Sequence, residues 1–363
     1  MKTNFFRTLL TCAAAFGALA PTVGACGGDN NGDTTDGGDN DGGGSIISGN
    51  GDGGGTTNKQ CATATKKAEV VPVDLMIGLD TSFSMDFDKK WLSVQAALKS
   101  FSANKALDGL GLGLQYFPIR KQCAVDAYSQ PAVAVADLPG VATSISASLD
   151  GQQMSGGTPM VPLLQGLNTY MKGFASAHPD RKPVIVLATD GIPDDTCLTG
   201  STPNTIDNAV AAAKASFEGS PSVSVFVIGV GSELTALNAI GQAGGTGNAI
   251  LVDTTKDVEK AFLDALTSIR RQAVPCDYNI PSLGGPPDPA KININYVDAN
   301  GQSVFLYVGS AADCSKAEEN GWYFNDANAP TKVVLCPKTC EKVKSNDQAK
   351  IDVVFGCDRV GIK

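Results

Sequence analysis

From residue 65 to 272, short apolar runs alternate with segments whose apolar residues recur at helical spacing. The runs 70–80 and 182–191 are apolar almost throughout, which is typical of strands buried on both faces of a sheet. The segments 89–107 and 256–273 show the helical pattern. This alternation predicts an α/β fold, in which helices cover both faces of a doubly wound, mostly parallel sheet.

Polar residues stand where two of these strands end. Ligands of doubly wound sheets bind beyond the carboxyl ends of the strands, near the point where strand order reverses. Asp80 and Asp190 each end a fully apolar run, so we expect both at that edge. Ser82 and Ser84 follow Asp80 at every second position, in LDTSFSM, and Thr158 precedes a helix predicted over 159–177. All five side chains offer oxygen atoms.

Three pieces of sequence together resemble a von Willebrand factor type A domain. They are LDTSFSM at 79–85, SGGTP at 155–159 and TDG at 189–191, in the order that this family has them. In the family, D-x-S-x-S, a Thr and an Asp build a metal-ion-dependent adhesion site. The resemblance covers about residues 65–275, and it implies a Rossmann-like domain over 61–276.

The resemblance also implies a role for each oxygen donor. Ser82 and Ser84 would bind the ion directly, and Thr158 directly or through water. Asp80 and Asp190 would mostly hold waters and the serines around it. A donor set without sulfur or imidazole suits Mg²⁺ first, with Mn²⁺ or Ca²⁺ as possible substitutes. Because hydroxyls are neutral ligands, the ion would keep enough charge to accept an acidic side chain from a protein or matrix ligand.

Other interpretations of these residues remain open. Ser82 and Ser84 are also suited to capping the following helix, and Asp190 to capping a turn. Phe83 stands where the family often has Gly, and it would either contact a partner or pack under a neighbouring loop. Asp86 and Asp88 loosely resemble the acidic pair of a second metal site in integrin β chains.

The cysteines indicate an exported, disulfide-bonded protein. Of ten cysteines, Cys12 falls in a predicted export signal and Cys26 at a predicted lipidation site. An even number in an exported chain favours four disulfides over a zinc site, because C-x-x-C is absent and His178 is the single histidine. The remaining eight are Cys61, Cys123, Cys197, Cys276, Cys314, Cys336, Cys340 and Cys357.

The residues alone leave the pairing open. The two ends of the family fold lie close together, so the resemblance implies a Cys61–Cys276 bridge. Cys123 and Cys197 fall near the predicted rim of the site, where a bridge would stiffen it.

The first 58 residues predict export and tethering. Lys2 and Arg7 precede the apolar stretch 8–20, and this pattern indicates a signal peptide over 1–25. The sequence VGAC resembles a bacterial lipobox, which would place a lipid on Cys26; the alternative is an ordinary signal cut nearby. Gly, Asp and Asn dominate 26–58, which predicts a solvated, disordered linker. We therefore expect a lipoprotein of the cell envelope, with the outer membrane as the default location.

The net charge of the chain argues against one class of partner. Without Lys2 and Arg7 there remain 26 basic and 37 acidic residues, a net charge of −11, which argues against nucleic acid as a partner.

After Cys276 comes a Pro/Gly connector, and then two apolar runs around Asn300-Gly301, a strong hairpin signal. These features predict a small Cys-rich β module over 277–363.

The function that these features favour is cation-dependent binding of the adhesion type by a membrane-anchored protein. One alternative is a structural envelope scaffold whose contacts need no metal. A second is a metal-dependent hydrolase. We do not expect an enzyme, because a single histidine and the lack of a G-x-S-x-G motif leave little for catalysis.

Overall fold

The structure is a computed structural model, and it describes residues 64–67, 69–194, 197, 202–346 and 350–362. The predictions for the signal peptide 1–25, for the linker 26–58 with the lipidated Cys26, and for Cys61 fall outside the described residues. Among the described helices, none has both the length and the apolar character needed to cross a membrane.

The strands are, in chain order, β1 (Ala64–Lys67), β2 (Glu69–Val70), β3 (Val73–Asp80), β4 (Gly111–Phe117), β5 (Val133–Asp137), β6 (Lys182–Thr189), β7 (Ser224–Val230), β8 (Ile250–Val252), β9 (Asp277–Asn279), β10 (Ile292–Asp298), β11 (Gly301–Tyr307), β12 (Gly321–Phe324), β13 (Lys332–Leu335) and β14 (Lys350–Phe355). The α-helices are α1 (Lys90–Ser102), α2 (Val125–Tyr128), α3 (Ala142–Asp150), α4 (Met160–Ala177), α5 (Ile206–Phe217), α6 (Asn238–Ala243), α7 (Val258–Ala273) and α8 (Pro337–Lys344).

Six strands form the first sheet, in the order β5-β4-β3-β6-β7-β8. All neighbours are parallel except β4 and β5, so the predicted doubly wound, mostly parallel fold is confirmed. From the central β3 the chain goes first to β4 on one side, and later to β6 on the other. The strand order therefore reverses between β3 and β6, and Asp80 and Asp190 lie at the ends of these two strands.

Helices cover both faces of this sheet, as the apolar strands require. Successive side chains of a strand point to opposite faces. Accordingly, Leu75 and Ile77 pack in the core under α1, α3 and α7, while Met76 packs in the core under α4, α5 and α6. Helix α3 was not predicted, because three Ser and one Thr dilute its pattern; Ile145 and Leu149, four residues apart, are its buried anchors.

Eight strands form the second sheet, in the order β1-β14-β10-β11-β12-β13-β9-β2. The predicted hairpin is confirmed, since β10 and β11 pair antiparallel with Asp298 opposite Gly301. Gly301 has φ +117, a conformation that a side chain would disfavour. The buried Trp322 fills the core of this sheet, and its indole N–H donates to the carbonyl of Phe305 at 3.1 Å.

The first two described strands, β1 and β2, belong to the second sheet and not to the sheet of the α/β domain. β1 pairs with β14, and β2 pairs with β9 with Glu69 opposite Asn279. The α/β domain is therefore inserted between β2 and β9, and its two connections run side by side. This arrangement has no signal in the sequence, because Thr65, Lys66 and Lys67 form an exposed edge strand without an apolar run.

The disulfides correct a second prediction. Cys276 bonds to Cys340 rather than to Cys61, because it lies where α7 passes into β9, beside α8, which carries Cys340. Cys314 bonds to Cys336 within the second module, and Cys357 is disulfide-bonded as well.

The corrected pairing is tested by peptide mapping after digestion without reductant. We expect one cross-linked peptide pair that joins Cys276 to Cys340. A pair that joins Cys276 to Cys61 would contradict the structure.

A buried ion pair secures the amino-terminal edge of the first sheet. Asp74, at the start of β3, is 1 % exposed and accepts from the Arg181 guanidinium at 2.6 to 2.9 Å. Arg181 also donates to the exposed Asp137 at 2.7 Å. Gly111 lies opposite Asp74, where a Cβ would stand 1.9 Å from the carboxylate, so only glycine leaves room for this pair.

Removing the guanidinium should strongly destabilise the protein. In Arg181→Met the Asp74 carboxylate stays buried without its partner, so we expect the free energy of unfolding to fall by about 3–5 kcal/mol. Asp137→Asn removes only the charge of the exposed partner and should cost less than about 1 kcal/mol. Urea denaturation measures both, and equal effects of the two substitutions would contradict this account.

Candidate metal site

Asp80 joins the two loops that border the reversal point. Its side chain is fully buried, and one carboxylate oxygen accepts the backbone N–H of Ser82 at 2.7 Å. The other oxygen accepts the hydroxyl of Thr189, the last residue of β6, at 2.6 Å. Asp80 therefore fixes the start of its own loop and the end of the neighbouring strand.

Three oxygen atoms from these two loops converge at the rim. The hydroxyls of Ser82 and Ser84 lie 3.0 Å apart, and Ser84 donates to a carboxylate oxygen of Asp190 at 2.7 Å. Ser82 stands at the N-cap of the 3₁₀ turn Phe83–Lys89, yet its side chain makes no capping hydrogen bond. Helix capping therefore does not explain this serine.

Thr158 reaches the same rim from the start of α4. Its N–H donates to the Asp194 carboxylate at 3.0 Å, and its carbonyl accepts from the Asn204 amide at 2.9 Å. Asn204 also accepts the N–H of Val161 at 3.0 Å, which caps the first turn of α4. The Thr158 hydroxyl lies beside Gly191, the residue that follows Asp190. A Cβ placed on Gly191 would stand 3.5 Å from this hydroxyl oxygen.

Asn204 and Asp194 position this loop, and the sequence analysis missed both. Asp194 follows the TDG motif within TDGIPDD, where the acidic residues were a signal that could have been used. Asn204 is 2 % exposed but stands in a polar stretch, so nothing in the sequence marks it as buried.

A third missed residue is Lys90, the first residue of α1. Its ammonium lies 2.6 Å from the second carboxylate oxygen of Asp190, and the Asp190 side chain is completely buried. The two residues before it, Asp88 and Lys89, both have left-handed backbones, with φ of 55 and 58. For residues with a Cβ, this conformation costs roughly 1–2 kcal/mol each. A strained turn therefore places Lys90 beside Asp190.

Burial dominates the electrostatics of Asp80. It raises the pKa of this carboxyl from its ordinary value to about 7, although hydrogen bonds from Ser82 and Thr189 favour the ionised form. Repulsion from the neighbouring Asp190 makes a smaller contribution to this rise in the pKa of Asp80. Two carboxylates so close together favour a bound cation between or beside them.

The spacing of the oxygens fits a small divalent ion. Mg²⁺ binds oxygen ligands octahedrally at about 2.0–2.1 Å, so neighbouring ligands are about 2.9 Å apart. The separations from Ser84 to Ser82 and to Asp190, 3.0 and 2.7 Å, fall on either side of this value. Within the described ranges, no group of three or more His, Cys, Asp or Glu side chains could hold a metal.

Apolar side chains project beside these oxygens. Phe83 lies between the two serines and is 61 % exposed, so it does not pack under a neighbouring loop. Phe87 is also exposed, with its ring centroid 6.4 Å from that of Phe83. Ile192, two residues after Asp190, is half exposed on the opposite loop. We call Phe83, Phe87 and Ile192 the apolar rim.

A disulfide stiffens the neighbouring loops. Cys123, in the loop after β4, bonds to Cys197, in the loop after β6, which is the pairing suggested for the rim of the site. His178 lies at the other edge of the sheet, before β6, where its ring stacks on Phe174 with centroids 4.2 Å apart. It is therefore remote from the oxygens.

Known structures of similar fold come from several organisms. BatB of Bacteroides thetaiotaomicron is 18 % identical, with a TM-score of 0.40, over 55 % of this chain and 99 % of that one. The pilus adhesin SpaC of Lactobacillus rhamnosus GG is 14 % identical, with a TM-score of 0.44, over 80 % of this chain and 40 % of that one. Manganese-loaded TRAP protein of Plasmodium vivax is 15 % identical, with a TM-score of 0.37, over 55 % and 76 %.

No protein of curated function matches the sequence. The family comparison is decisive instead. The model of the von Willebrand factor type A domain matches residues 74–264, more than half of the chain, from the start of β3 into α7. The chain therefore belongs to the von Willebrand factor type A domain family.

Proposed function

We propose that this protein binds a divalent cation at the rim of its type A domain and, through that ion, an acidic group of a protein or matrix ligand. The observation that carries the proposal is the convergence of three oxygens, from Ser82, Ser84 and Asp190, at the point where strand order reverses. Ligands of doubly wound sheets bind at such points.

Each residue has a role in this proposal. Ser82 and Ser84 hold the ion through their hydroxyls, and Thr158 approaches from the third loop, directly or through water. Asp80 and Asp190 orient these loops, because their oxygens already accept hydrogen bonds from protein donors. Mg²⁺ is the expected ion, and Mn²⁺ or Ca²⁺ would suit the same oxygens. The bound ion supplies the positive charge that attracts a carboxylate.

The apolar rim refines the kind of partner. Large exposed apolar side chains beside a polar site are typical of protein contacts. Phe83 and Ile192 flank the oxygens from opposite loops. A partner with a carboxylate flanked by apolar side chains would bind the ion through the carboxylate and contact the apolar rim through its neighbours.

The location of the protein is also a proposal. Export, lipidation at Cys26 and a linker over 26–58 would hold the binding domain away from a bacterial membrane, with the outer membrane as the default. Support comes from the sequence of the first 58 residues and from the disulfides of the described region, which form in oxidising compartments.

Binding explains the site better than hydrolysis does. A hydrolase would need a base to activate water near the ion, and the nearest carboxylates are Asp80 and Asp190. Both oxygens of each already accept a short hydrogen bond or an ion pair. An envelope scaffold that needs no metal remains the alternative, and partner capture separates the two.

Calorimetry with the purified full chain tests the ion site. We expect Mg²⁺ and Mn²⁺ to bind at one site, and the double substitution Ser82→Ala, Ser84→Ala to weaken binding by roughly tenfold or more, because two hydroxyl ligands are lost. Ser303→Ala, an exposed position in the second sheet, is the matched control. Unchanged affinity in the double variant would refute the assignment of the serines.

Capture from envelope fractions tests the partner contact. In the presence of Mg²⁺ the immobilised chain should retain a partner that EDTA releases, and Phe83→Ser should reduce its retention while leaving Mg²⁺ affinity unchanged. Leu283→Ser removes another exposed apolar side chain, in the connector before β10, and should have no effect. A partner retained equally well in EDTA would favour the scaffold alternative.

A further inference from the structure

We propose that Lys90 is a built-in cation of this site: it neutralises Asp190 when no metal is bound, and it lowers the affinity for the divalent ion by repelling it. The inference rests on the proposed cation site and adds a residue that sets its strength. It follows from one contact, in which the Lys90 ammonium lies 2.6 Å from a carboxylate oxygen of Asp190.

The contact is a buried one. The Asp190 side chain has no exposed surface, and that of Lys90 is 14 % exposed. A buried carboxylate without a cation is strongly unfavourable. Ser84 occupies the other oxygen of Asp190 with a neutral hydroxyl, so Lys90 supplies the positive charge in this contact. The rim can therefore stay ordered without a metal.

The same charge opposes a second cation. Ser84 and Lys90 hold different oxygens of the same carboxylate, so an ion bound beside Ser84 lies only a few ångströms from the ammonium. A metal that took the oxygen held by Lys90 would have to displace the ammonium. A metal beside the other oxygen would bind against its repulsion. In both cases Lys90 weakens metal binding.

Lys90 also changes the charge that a partner meets. Two carboxylates and one ammonium give the site a net charge of −1 when all are ionised, and a divalent ion brings it to +1. Without Lys90 the loaded site would be neutral. Lys90 therefore lowers the affinity for the metal and raises the attraction of the loaded site for an acidic partner.

The backbone before Lys90 is consistent with a dedicated role. Asp88 and Lys89 both adopt the left-handed conformation immediately before α1, which is unusual for two successive residues with side chains. Strain of this kind persists only where surrounding contacts hold it, and it concentrates at functional sites. The ion pair of the next residue with Asp190 is such a contact.

The test compares Mg²⁺ affinity with the stability of the metal-free protein. Lys90→Gln keeps a hydrogen-bond donor toward Asp190 and removes the charge, whereas Lys90→Arg keeps the charge. Lys89→Gln changes the net charge equally at the adjacent, exposed position and is the matched control. The purified full chain is titrated with Mg²⁺ by calorimetry, and its melting temperature is measured in EDTA and in Mg²⁺.

For Lys90→Gln we expect Mg²⁺ affinity to rise by roughly tenfold or more, because the repulsion is removed. Its melting temperature in EDTA should fall by several degrees, and Mg²⁺ should restore it. Lys90→Arg and Lys89→Gln should keep an affinity close to that of the parent. Opposite changes in affinity and metal-free stability identify an internal cation, since a merely structural residue would lower both.

The outcomes separate this inference from the proposed function. If the parent protein binds Mg²⁺ and Lys90→Gln binds it no better, the inference is overturned, while the proposed metal site stands. If the parent protein does not bind Mg²⁺ and Lys90→Gln does, the inference is supported in its strongest form. If neither binds Mg²⁺ at millimolar concentration, both proposals are wrong.

Discussion

The candidate site depends on one buried carboxylate. Asp80 ends the central strand and has no exposed surface, so its two oxygens must be satisfied by the protein. They accept from the loop that carries the serines and from the end of β6, which leads directly to Asp190. Because one residue fixes both loops, Ser84 meets Asp190 across the reversal point, although the two are 106 positions apart in the chain. The rim oxygens are therefore placed by the sheet itself.

The second sheet gives this domain an unusual support. The α/β domain leaves the β module after β2 and returns at β9, and these two short strands pair with each other. The Cys276–Cys340 bridge fastens the return connection to α8, whose Lys344 also donates to the carbonyl of Gln272 near the end of α7 at 2.7 Å. Both ends of the α/β domain are thus held at one place.

Most of the fold could be predicted from the sequence, and so could the meeting of Ser84 and Asp190 at one edge of the sheet. Fully apolar strands such as β3 and β6 predict a covered parallel sheet, and the aspartate that follows or ends each strand predicts a polar cluster at their carboxyl ends. Prediction from the sequence failed where the physical cause was not local. Residues 65–67 are polar, and with Ala64 they form a strand because β14 offers an edge for pairing. Cys276 paired with Cys340 because of how α7 enters the second sheet. Lys90 was overlooked because one lysine in a helix start is indistinguishable from a solvated one until Asp190 is placed beside it.

The central claim is that the hydroxyls of Ser82 and Ser84 hold one ion beside Asp190, and that this ion keeps an open coordination position. The most direct measurement is a crystal structure of the protein with Mn²⁺, using anomalous scattering to locate the metal. This account predicts one strong anomalous peak within about 2.3 Å of both serine hydroxyls, with at least one position filled by water or by a carboxylate from a neighbouring molecule. An empty rim, or Mn²⁺ found only at exposed carboxylates such as Asp86, would contradict it.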